Sequence, residues 1–288
     1  PIGAGIEILF LWGIFSFFVI FNTTCASMMT IYAMDVVCDM MIWYKGIYRL
    51  LWRNVAVKEN TMSFMKAVNL CKTYGSGANA VHAVDRVNLE IEKGELIAIV
   101  GASGSGKTTL LHLLSCLDKP SGGRISYNNV ITDRISEEDL VKYRSEHMGF
   151  VFQFFNLIPI LSVQENIHLP LMINGTAPDK VYIEHLIDIL GIRSKLNMPV
   201  NKLSGGQQQR VAIARALAHK PDIVFADEPT GALDSKTSQD IICLLKSISA
   251  KLNQTLIIVT HDPIIARQCR RIITLKDGRI ISDEQNGE

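Results

Sequence analysis

Residues 101–108 read Gly-Ala-Ser-Gly-Ser-Gly-Lys-Thr and follow an apolar run that covers residues 96–100. Glycines at these positions let backbone N–H groups turn inward around phosphate oxygens, Lys107 supplies a positive charge, and the Thr108 hydroxyl can ligate Mg²⁺. A helix that begins at Lys107 adds the positive end of its dipole. This order of strand, loop and helix predicts a nucleoside triphosphate site formed by Gly101, Ser103, Gly104, Ser105, Gly106, Lys107, Thr108 and Thr109.

Two adjacent carboxylates, Asp227 and Glu228, follow the apolar run at residues 223–226. Central parallel strands deliver polar residues at their carboxyl ends, where the phosphate loop also lies. Asp227 is placed to contact the Mg²⁺ shell, and Glu228 projects toward the terminal phosphate as a candidate general base. A solvated turn is the alternative explanation for such a pair, and the phosphate loop in the same chain argues against it.

A second candidate anion site comprises Ser204, Gly205, Gly206 and Gln207. A serine cap, two glycines that permit close backbone approach and a helix amino terminus bind anions by the same physics as the first loop. An ordinary Ser-Gly-Gly helix start is the alternative. The following helix is predicted to bury Val211, Ala214, Leu217 and Ala218. Since the two loops lie far apart in the sequence, we expect each of them to serve a different nucleotide.

Other motifs occur in order between and around these two loops. They are Tyr74, Gln153 in Val-Phe-Gln, Gly231-Ala-Leu-Asp234, and His261 in Val-Thr-His-Asp. With the two loops and the paired carboxylates, they resemble the ATP-binding cassette of ABC transporters from Lys66 to Ile281. The segments at 101–106 and 225–235 are most similar to bacterial cassettes of the macrolide-export, lipoprotein-release and bacitracin-type peptide-export group.

The resemblance implies a role for each motif. Tyr74 stacks on adenine, residues 101–108 are the Walker A loop, and residues 203–207 are the signature motif. Catalytic roles fall on Gln153, Glu228, Asp234 and His261. The implied Mg²⁺ contacts are Thr108, Gln153 and Asp227. The cofactors that follow from the resemblance are therefore ATP and Mg²⁺.

The resemblance also implies partners. Two cassettes dock head to tail, so that ATP held by one is capped by Ser204, Gly205 and Gln207 of the other. A membrane permease subunit is the second partner. Gln153 lies beside Phe154 and Phe155 and near the segment 163–167, which we expect to be exposed, so nucleotide state could change the groove that grips a permease helix. The implied location is the cytoplasmic face of a bacterial membrane.

The implied fold is the α/β P-loop NTPase of ABC type, a mixed sheet core with an antiparallel β subdomain and a helical subdomain at about 154–218. Alternating residues at 87–91 and a short run at 66–70 predict antiparallel strands. All-apolar runs at 223–226 and 256–259 predict central parallel strands. A hairpin is predicted at 272–281, and helices at about 138–143, 181–190 and 207–218.

The charge balance argues against a polynucleotide partner. The 288 residues contain 29 Lys and Arg against 28 Asp and Glu, a net charge of +1. The chain therefore lacks the excess of basic residues that favours nucleic acid binding. A hydrophobic fraction of 48% is sufficient for a core. The six cysteines are far apart and form no C-x-x-C pair, which disfavours a zinc site and a disulfide framework.

The first 61 residues have a different composition. No charged side chain occurs from Ile8 to Met34, and residues 8–21 are apolar and long enough to enter a bilayer. If this stretch spans the membrane, the basic residues between 45 and 58 place the rest of the chain in the cytoplasm. A buried helix and an uncleaved signal core are the alternatives.

A third interpretation is that this segment is absent from the cellular protein. The sequence begins with Pro1, and Met62 is a natural start, because Lys58-Glu59 can be encoded by a purine run typical of ribosome-binding sites. We therefore expect residues 1–61 to be a translation artefact and residues 62–288 to form the ATP-binding domain. An upstream domain that ends in a transmembrane helix is the competing hypothesis.

Three classes of function share these motifs. The first is the ATPase subunit of a bacterial export or lipoprotein- and peptide-handling complex. The second is the ATPase of a mechanotransmission or peptide-sensing complex that moves no cargo. The third, ATPases of chromosome maintenance or ribosome function, would need a long coiled-coil insertion or a second cassette, which the sequence does not contain. The cargo, its direction, and the choice of homodimer or heterodimer are not encoded in these motifs.

Overall fold

The chain alternates between strands and helices in the computed structural model, which describes residues 63–287 except 129, 133 and 134. The first half contains β1 (Met65–Tyr74), β2 (Val81–Ile91), β3 (Leu96–Val100), α1 (Lys107–Leu114), β4 (Gly122–Tyr127), β5 (Val130–Ile131), α2 (Glu137–His147) and β6 (Met148–Phe152). The second half contains α3 (Val163–Ile173), α4 (Lys180–Leu190), α5 (Gly205–Leu217), β7 (Ile223–Asp227), α6 (Ser235–Lys251), β8 (Thr255–Val259), α7 (Pro263–Ala266), β9 (Arg271–Lys276) and β10 (Arg279–Gln285).

Six strands form a mixed central sheet in the order β10-β9-β3-β8-β7-β6. Neighbouring strands from β9 to β6 are parallel. The outermost strand, β10, forms an antiparallel hairpin with β9. Val259 pairs with Ile99 on one side and with Asp227 on the other, and Asp227 also pairs with Phe152. The carboxyl ends of β3, β8, β7 and β6 therefore lie at one edge of the sheet, and the candidate site residues follow them.

A second sheet is antiparallel and has the order β2-β1-β4-β5. Its apolar side packs with α1 against one face of the central sheet, in a core that includes Met65, Ile91, Leu111, Phe225 and Ile257. The opposite face of the central sheet is covered by α3 to α6. Because the central strands are buried on both faces, their sequences are apolar throughout instead of alternating.

These observations confirm the predicted fold class. The strands predicted at 223–226 and 256–259, the hairpin and the three helices all form, with ends that differ from the predicted ones by a few residues. The pattern did not predict β6, although its register with β7 places Gln153 beside the site. The apolar face predicted for α5 is buried as expected at Val211, Ala214, Leu217 and Ala218.

One expectation was wrong: the segment 163–167 is not exposed throughout. It is the first part of α3, which begins with a capping box between Ser162 and Glu165. Helical spacing turns Val163, Asn166 and Ile167 into the core, and only Gln164 and Glu165 stay exposed. The Asn166 side chain donates to the carbonyl oxygens of Ile158, Leu161 and Ser162, so its burial is satisfied by hydrogen bonds.

None of the helices in the described ranges is long and apolar enough to cross a membrane. The hydrophobic segment at 8–21, the start proposed at Met62 and the domain boundary near residue 61 lie outside the described residues. Those interpretations stay predictions.

Candidate nucleotide-binding and hydrolysis site

The loop at 101–106 connects β3 to α1 and requires glycine for steric reasons. Gly106 has φ 99°, and a methyl group there would lie 2.1 Å from the carbonyl oxygen of Ala83. The loop is fixed by hydrogen bonds from the Ser105 amide to the Ala102 carbonyl (3.2 Å) and from the Gly278 amide to the Ser105 carbonyl (3.0 Å). Close packing of backbone on backbone therefore explains the glycine at position 106, and the loop leads directly into the amino terminus of α1.

Lys107 reaches back across this loop. Its ammonium donates to the carbonyl oxygens of Gly101 at 2.9 Å and Ala102 at 2.8 Å, and the residue is 9% exposed. A buried lysine is held only where its charge has partners, and here backbone carbonyls supply them. The arrangement places a positive charge within the concave loop, where phosphate oxygens are expected.

Thr108 and Asp227 join the loop to the end of β7. The Thr108 hydroxyl donates to a carboxylate oxygen of Asp227 at 3.3 Å. Burial raises the pKa of Asp227 above its usual range, and the Thr108 hydrogen bond partly offsets this effect. A half-buried carboxylate beside a hydroxyl offers the hard oxygen ligands that Mg²⁺ prefers.

Glu228 and His261 form the next layer of the site. A Glu228 carboxylate oxygen lies 2.7 Å from His261 Nδ1, and Glu228 is far less exposed than the imidazole. The Glu228 amide donates to the Val259 carbonyl at 3.0 Å, and Glu228 has φ 48°. A left-handed conformation in a residue other than glycine costs on the order of 1 kcal/mol or more, and such strain is concentrated at functional sites.

Gln153 directly follows β6 and lies at the same edge of the sheet. A methyl group at Gly231 would lie 2.7 Å from Gln153 Nε2, so the glutamine packs on the turn after Glu228. The Gly231 amide donates to the Glu228 carbonyl at 2.9 Å and closes that turn. Gly231 therefore contacts Gln153 on one side and is hydrogen-bonded to Glu228 on the other.

Tyr74 ends β1 and is 44% exposed. Its hydroxyl donates to Asp118 at 2.9 Å, and the same carboxylate accepts from Lys72 at 2.6 Å. Burial and the Asp118 hydrogen bond raise the pKa of Tyr74, and its hydroxyl also faces the Thr109 side chain. The Tyr74 side chain is thus held beside the start of α1, and its stacking on adenine stays a prediction.

Ser204 and Gln207 form a capping box at the start of α5, as the serine-cap prediction requires. A methyl group at Gly206 would lie 2.5 Å from Thr237 Cγ2, so this loop packs on the start of α6. Within the described ranges, no hydrogen bond joins residues 204–207 to residues 101–108. The side-chain hydrogen bonds of Ser204 and Gln207 stay within the start of α5.

Asp234 also lies at the start of α6. Its carboxylate accepts from the Thr237 amide at 3.0 Å and from the Thr237 hydroxyl at 2.7 Å. The hydrogen bond from the Thr237 amide lowers the pKa of Asp234. In this chain Asp234 is a helix cap, and its predicted catalytic role stays a prediction.

Sequence reasoning missed two side chains that support the site. Gln209 is fully buried, and its amide donates to the Pro229 carbonyl at 2.5 Å and faces the Phe152 carbonyl at 3.5 Å. The Arg215 guanidinium donates to the carbonyl oxygens of Phe155 and Asn156. Polar residues within the otherwise apolar face of α5 were the signal that could have identified them.

Comparison with known proteins assigns the family. The ABC transporter family profile matches residues 84–231. The bacitracin export ATP-binding protein BceA of Halalkalibacterium halodurans is 44% identical over 230 residues, which are 79% of this chain and 90% of BceA. The uncharacterized ABC transporter ATP-binding protein MJ0796 of Methanocaldococcus jannaschii is 45% identical over 227 residues, 77% of this chain and 97% of that protein.

Larger relatives contain this unit as one part. The macrolide export ATP-binding/permease protein MacB of Psychrobacter arcticus is 42% identical over 77% of this chain, which spans only 34% of MacB. Among solved structures, the dimeric post-hydrolysis state of MJ0796 bound to ADP and Pi has a TM-score of 0.71 and 43% identity. It covers 78% of this chain and 99% of the MJ0796 chain.

The family profile spans both anion loops and the paired carboxylates Asp227 and Glu228. These similarities confirm the predicted family and fold class, and the prediction that the chain is an ATP-binding ATPase of the transporter type. The chain belongs to the ABC transporter family, as one of its ATP-binding cassettes.

Proposed function

We propose that this chain is the ATP-hydrolysing subunit of a bacterial membrane export or lipoprotein- and peptide-handling complex, and that it acts as a dimer of cassettes. The observation that carries the proposal is the meeting of Lys107, Thr108, Asp227, Glu228 and His261 at one edge of the central sheet. These groups supply a cation, two metal-binding oxygens, a carboxylate and an imidazole within one site, which is the set of groups that phosphoryl transfer needs.

Each side chain has a distinct part in the proposed reaction. Lys107 and the loop amides bind the phosphates of ATP and neutralise charge on the transferred group. Glu228 orients the attacking water and accepts its proton. His261 holds the Glu228 carboxylate on one side and is exposed on the other, where it can contact the terminal phosphate. Tyr74 stacks on the adenine ring.

Mg²⁺ fits the donor set of this site. Thr108 and Asp227 present two hard oxygen ligands, and Gln153 lies at the same sheet edge. Within residues 63–287 as described, no group of three or more His, Cys, Asp or Glu side chains could hold a metal ion. One or two protein ligands, completed by phosphate oxygens and water, are typical of Mg²⁺. When bound, the ion neutralises negative charge on the outer phosphates.

The separation of the two anion loops supports a composite site. The loop at 204–207 packs on the start of α6 through Gly206, and no hydrogen bond among the described residues joins it to the Walker A loop of its own chain. A second cassette that docks head to tail would cap each ATP with the amino terminus of α5. The MJ0796 relative is described as a dimer, in agreement with this arrangement.

Exposed apolar side chains support a membrane permease as the second partner. Phe154 is 74% exposed and Ile160 is 90% exposed, both in the stretch between Gln153 and α3. Exposed apolar patches on otherwise polar surfaces mark interaction sites. Phe154 directly follows Gln153, so a movement of Gln153 would be passed to this surface, and Arg215 holds the adjacent backbone at 155–156. The proposed location is the cytoplasmic face of the cell membrane.

A complex that moves no cargo would use the same site. In that alternative the cassette drives a membrane protein that senses peptides or activates enzymes of the cell wall. The residues of the ATP site do not distinguish the two functions, because both depend on the same closure of two cassettes. The identity of the membrane partner separates them.

The test is purification of the full chain from native membranes, with the Glu228→Gln variant used to hold the closed dimer. With the variant we expect one integral membrane protein in a fixed ratio to the cassette. The unchanged chain should show an ATPase activity that requires Mg²⁺ and is lost in Lys107→Ala. Phe154→Ser should release the membrane protein without loss of ATP binding. A fully active monomer that binds no membrane protein would refute the proposal. Transport of a labelled cargo by reconstituted vesicles then distinguishes export from mechanotransmission.

A further inference from the structure

A cavity lies at the end of the central sheet opposite to the candidate nucleotide site. It has a volume of about 460 Å³ and is bordered by Gly94 and Leu96 at the start of β3 and by Gln254 and Leu256 at the start of β8. Residues 101–108 and His261 follow the carboxyl ends of these same two strands. The cavity is therefore separated from the ATP site by the length of the sheet.

The charged residues that line this cavity are all basic. They are Lys246 on α6 and Arg267 and Arg270 in the turn between α7 and β9. Among the described residues none of the three forms an ion pair, whereas the neighbouring Glu95 is already paired with Arg271 at 3.0 Å. Three uncompensated cations around one concave surface focus a positive potential into it.

Buried polar atoms lie in the same wall. Ser249 and Gln254 are each 5% exposed, and Ser249 Oγ and Gln254 Oε1 have no hydrogen-bond partner in the part of the chain that the structure describes. The amide nitrogen of Gln254 donates to the Pro221 carbonyl at 2.7 Å, which fixes the side chain and leaves its oxygen as a free acceptor. Unpaired buried polar groups are rare in folded proteins and often mark functional positions.

The three cations and the unpaired oxygens together define the chemistry of a ligand. The cations and the Ser249 hydroxyl suit a phosphate group, and the Gln254 oxygen needs a hydroxyl donor from the same molecule. The volume exceeds that of a bare phosphate. We propose that this cavity binds a phosphate ester that carries free hydroxyl groups, at a site independent of the ATP site.

The first experiment is calorimetric titration of the full chain with ribose 5-phosphate, in saturating Mg·ADP so that the Walker A loop is filled. We expect one site with a dissociation constant on the order of 0.1 to 1 mM, weakened by added salt, and no binding of neutral ribose. Lys246→Gln should weaken binding about fivefold to tenfold. Ser249→Ala should weaken it by a similar factor because it removes a donor.

Matched controls lie on the same helix. Lys251→Gln makes the same change of charge, and Ser247→Ala removes the same hydroxyl, at residues that do not line the cavity. Both controls should bind ribose 5-phosphate like the unchanged chain. Equal weakening by Lys246→Gln and Lys251→Gln would show that only net charge matters, and it would overturn the proposal.

A vesicle experiment identifies the source of the phosphate ester. Phosphatidylglycerol has the same chemistry in its headgroup as a free polyol phosphate. Flotation with phosphatidylglycerol vesicles, lost in Lys246→Gln and retained in Lys251→Gln, without binding of free ribose 5-phosphate, would assign the site to a lipid headgroup. Binding of free ribose 5-phosphate assigns it to a soluble metabolite, and absence of both would overturn the proposal.

Discussion

Glu228 and His261 meet across two neighbouring parallel strands, with 2.7 Å between a carboxylate oxygen and Nδ1 of the imidazole. The register of β7 with β8 places Asp227 beside Val259. Glu228 and His261, which follow these two strands, therefore lie close together. The imidazole restricts the orientation of the carboxylate, and the strained backbone of Glu228 restricts it further. In its proposed role as general base, Glu228 would therefore lose little freedom when the reaction begins.

Glu228→Gln is expected to keep ATP binding and to lower turnover by a factor on the order of 10² to 10⁴, since an amide cannot accept the proton of water. Calorimetry measures binding, and phosphate release measures turnover. Glu138→Gln, which makes the same change at an exposed residue of α2, should leave both unchanged. Near-native hydrolysis by Glu228→Gln would reject Glu228 as the catalytic carboxylate.

His261→Ala should lower turnover by about 10²-fold and leave ATP affinity nearly unchanged. The reason is that the imidazole acts through Glu228 in the transition state and contributes little to the binding of ATP. The double variant with Glu228→Gln should be no slower than Glu228→Gln by itself. Single-turnover rates of the unchanged chain, the two single variants and the double variant complete the double-mutant cycle. Losses that multiply would mean that the two side chains act independently.

Ser204→Arg should retain ATP binding by the monomer and abolish hydrolysis, since a long cation would fill the place where the partner cassette caps the nucleotide. The variant also loses a helix cap, which costs about 1 kcal/mol of stability. Ser136→Arg, at the exposed cap of α2, loses an equivalent hydrogen bond and should still hydrolyse ATP. Unchanged turnover in Ser204→Arg would contradict the composite site.

Gln209→Leu should destabilise the fold by about 1–3 kcal/mol, because the Pro229 carbonyl loses its buried donor. Since Pro229 follows Glu228, we also expect a lower kcat with little change in KM for ATP. Urea unfolding and steady-state kinetics measure the two effects. Gln164→Leu, at an exposed position of α3, is the control and should alter neither. A stable but fully active Gln209→Leu would contradict the proposed coupling.

Asp222 provides a test of stability against pH. Burial acts to raise its pKa, but hydrogen bonds from His147 (2.8 Å) and Lys93 (3.0 Å) outweigh this effect, so its pKa lies below the usual 3.8. A lowered pKa in the folded state adds stability that is present above 3.8 and is lost as the pH falls through the folded value.

Asp222→Asn should therefore lower the free energy of unfolding by about 1 kcal/mol at neutral pH. The difference from the unchanged chain should shrink below pH 3.8. Urea unfolding at a series of pH values measures it. Asp240→Asn, an exposed change on α6, should show no such dependence. A difference that is constant from pH 7 to pH 3 would mean that ionisation of Asp222 does not contribute.

The sequence by itself determined the chemistry of the first loop and the fold class. Residues 101–108 predict a phosphate site because glycine, lysine and threonine have conformational and charge properties that act locally. The apolar runs before Asp227 and Thr260 likewise predict buried parallel strands, because a strand covered on both faces has no place for polar side chains. These properties depend on neighbours in the sequence and need no tertiary contact.

The tertiary structure decided which distant residues meet. The pairing of Glu228 with His261, of Tyr74 with Asp118, and of the Gln209 amide with the Pro229 carbonyl each depends on strand order and helix packing. It also decided which side of 163–167 is buried, since a pattern of apolar residues does not state which neighbour covers it. The basic cavity around Lys246 was not predicted for the same reason: its lining comes from segments far apart in the chain, and only folding places their charges together.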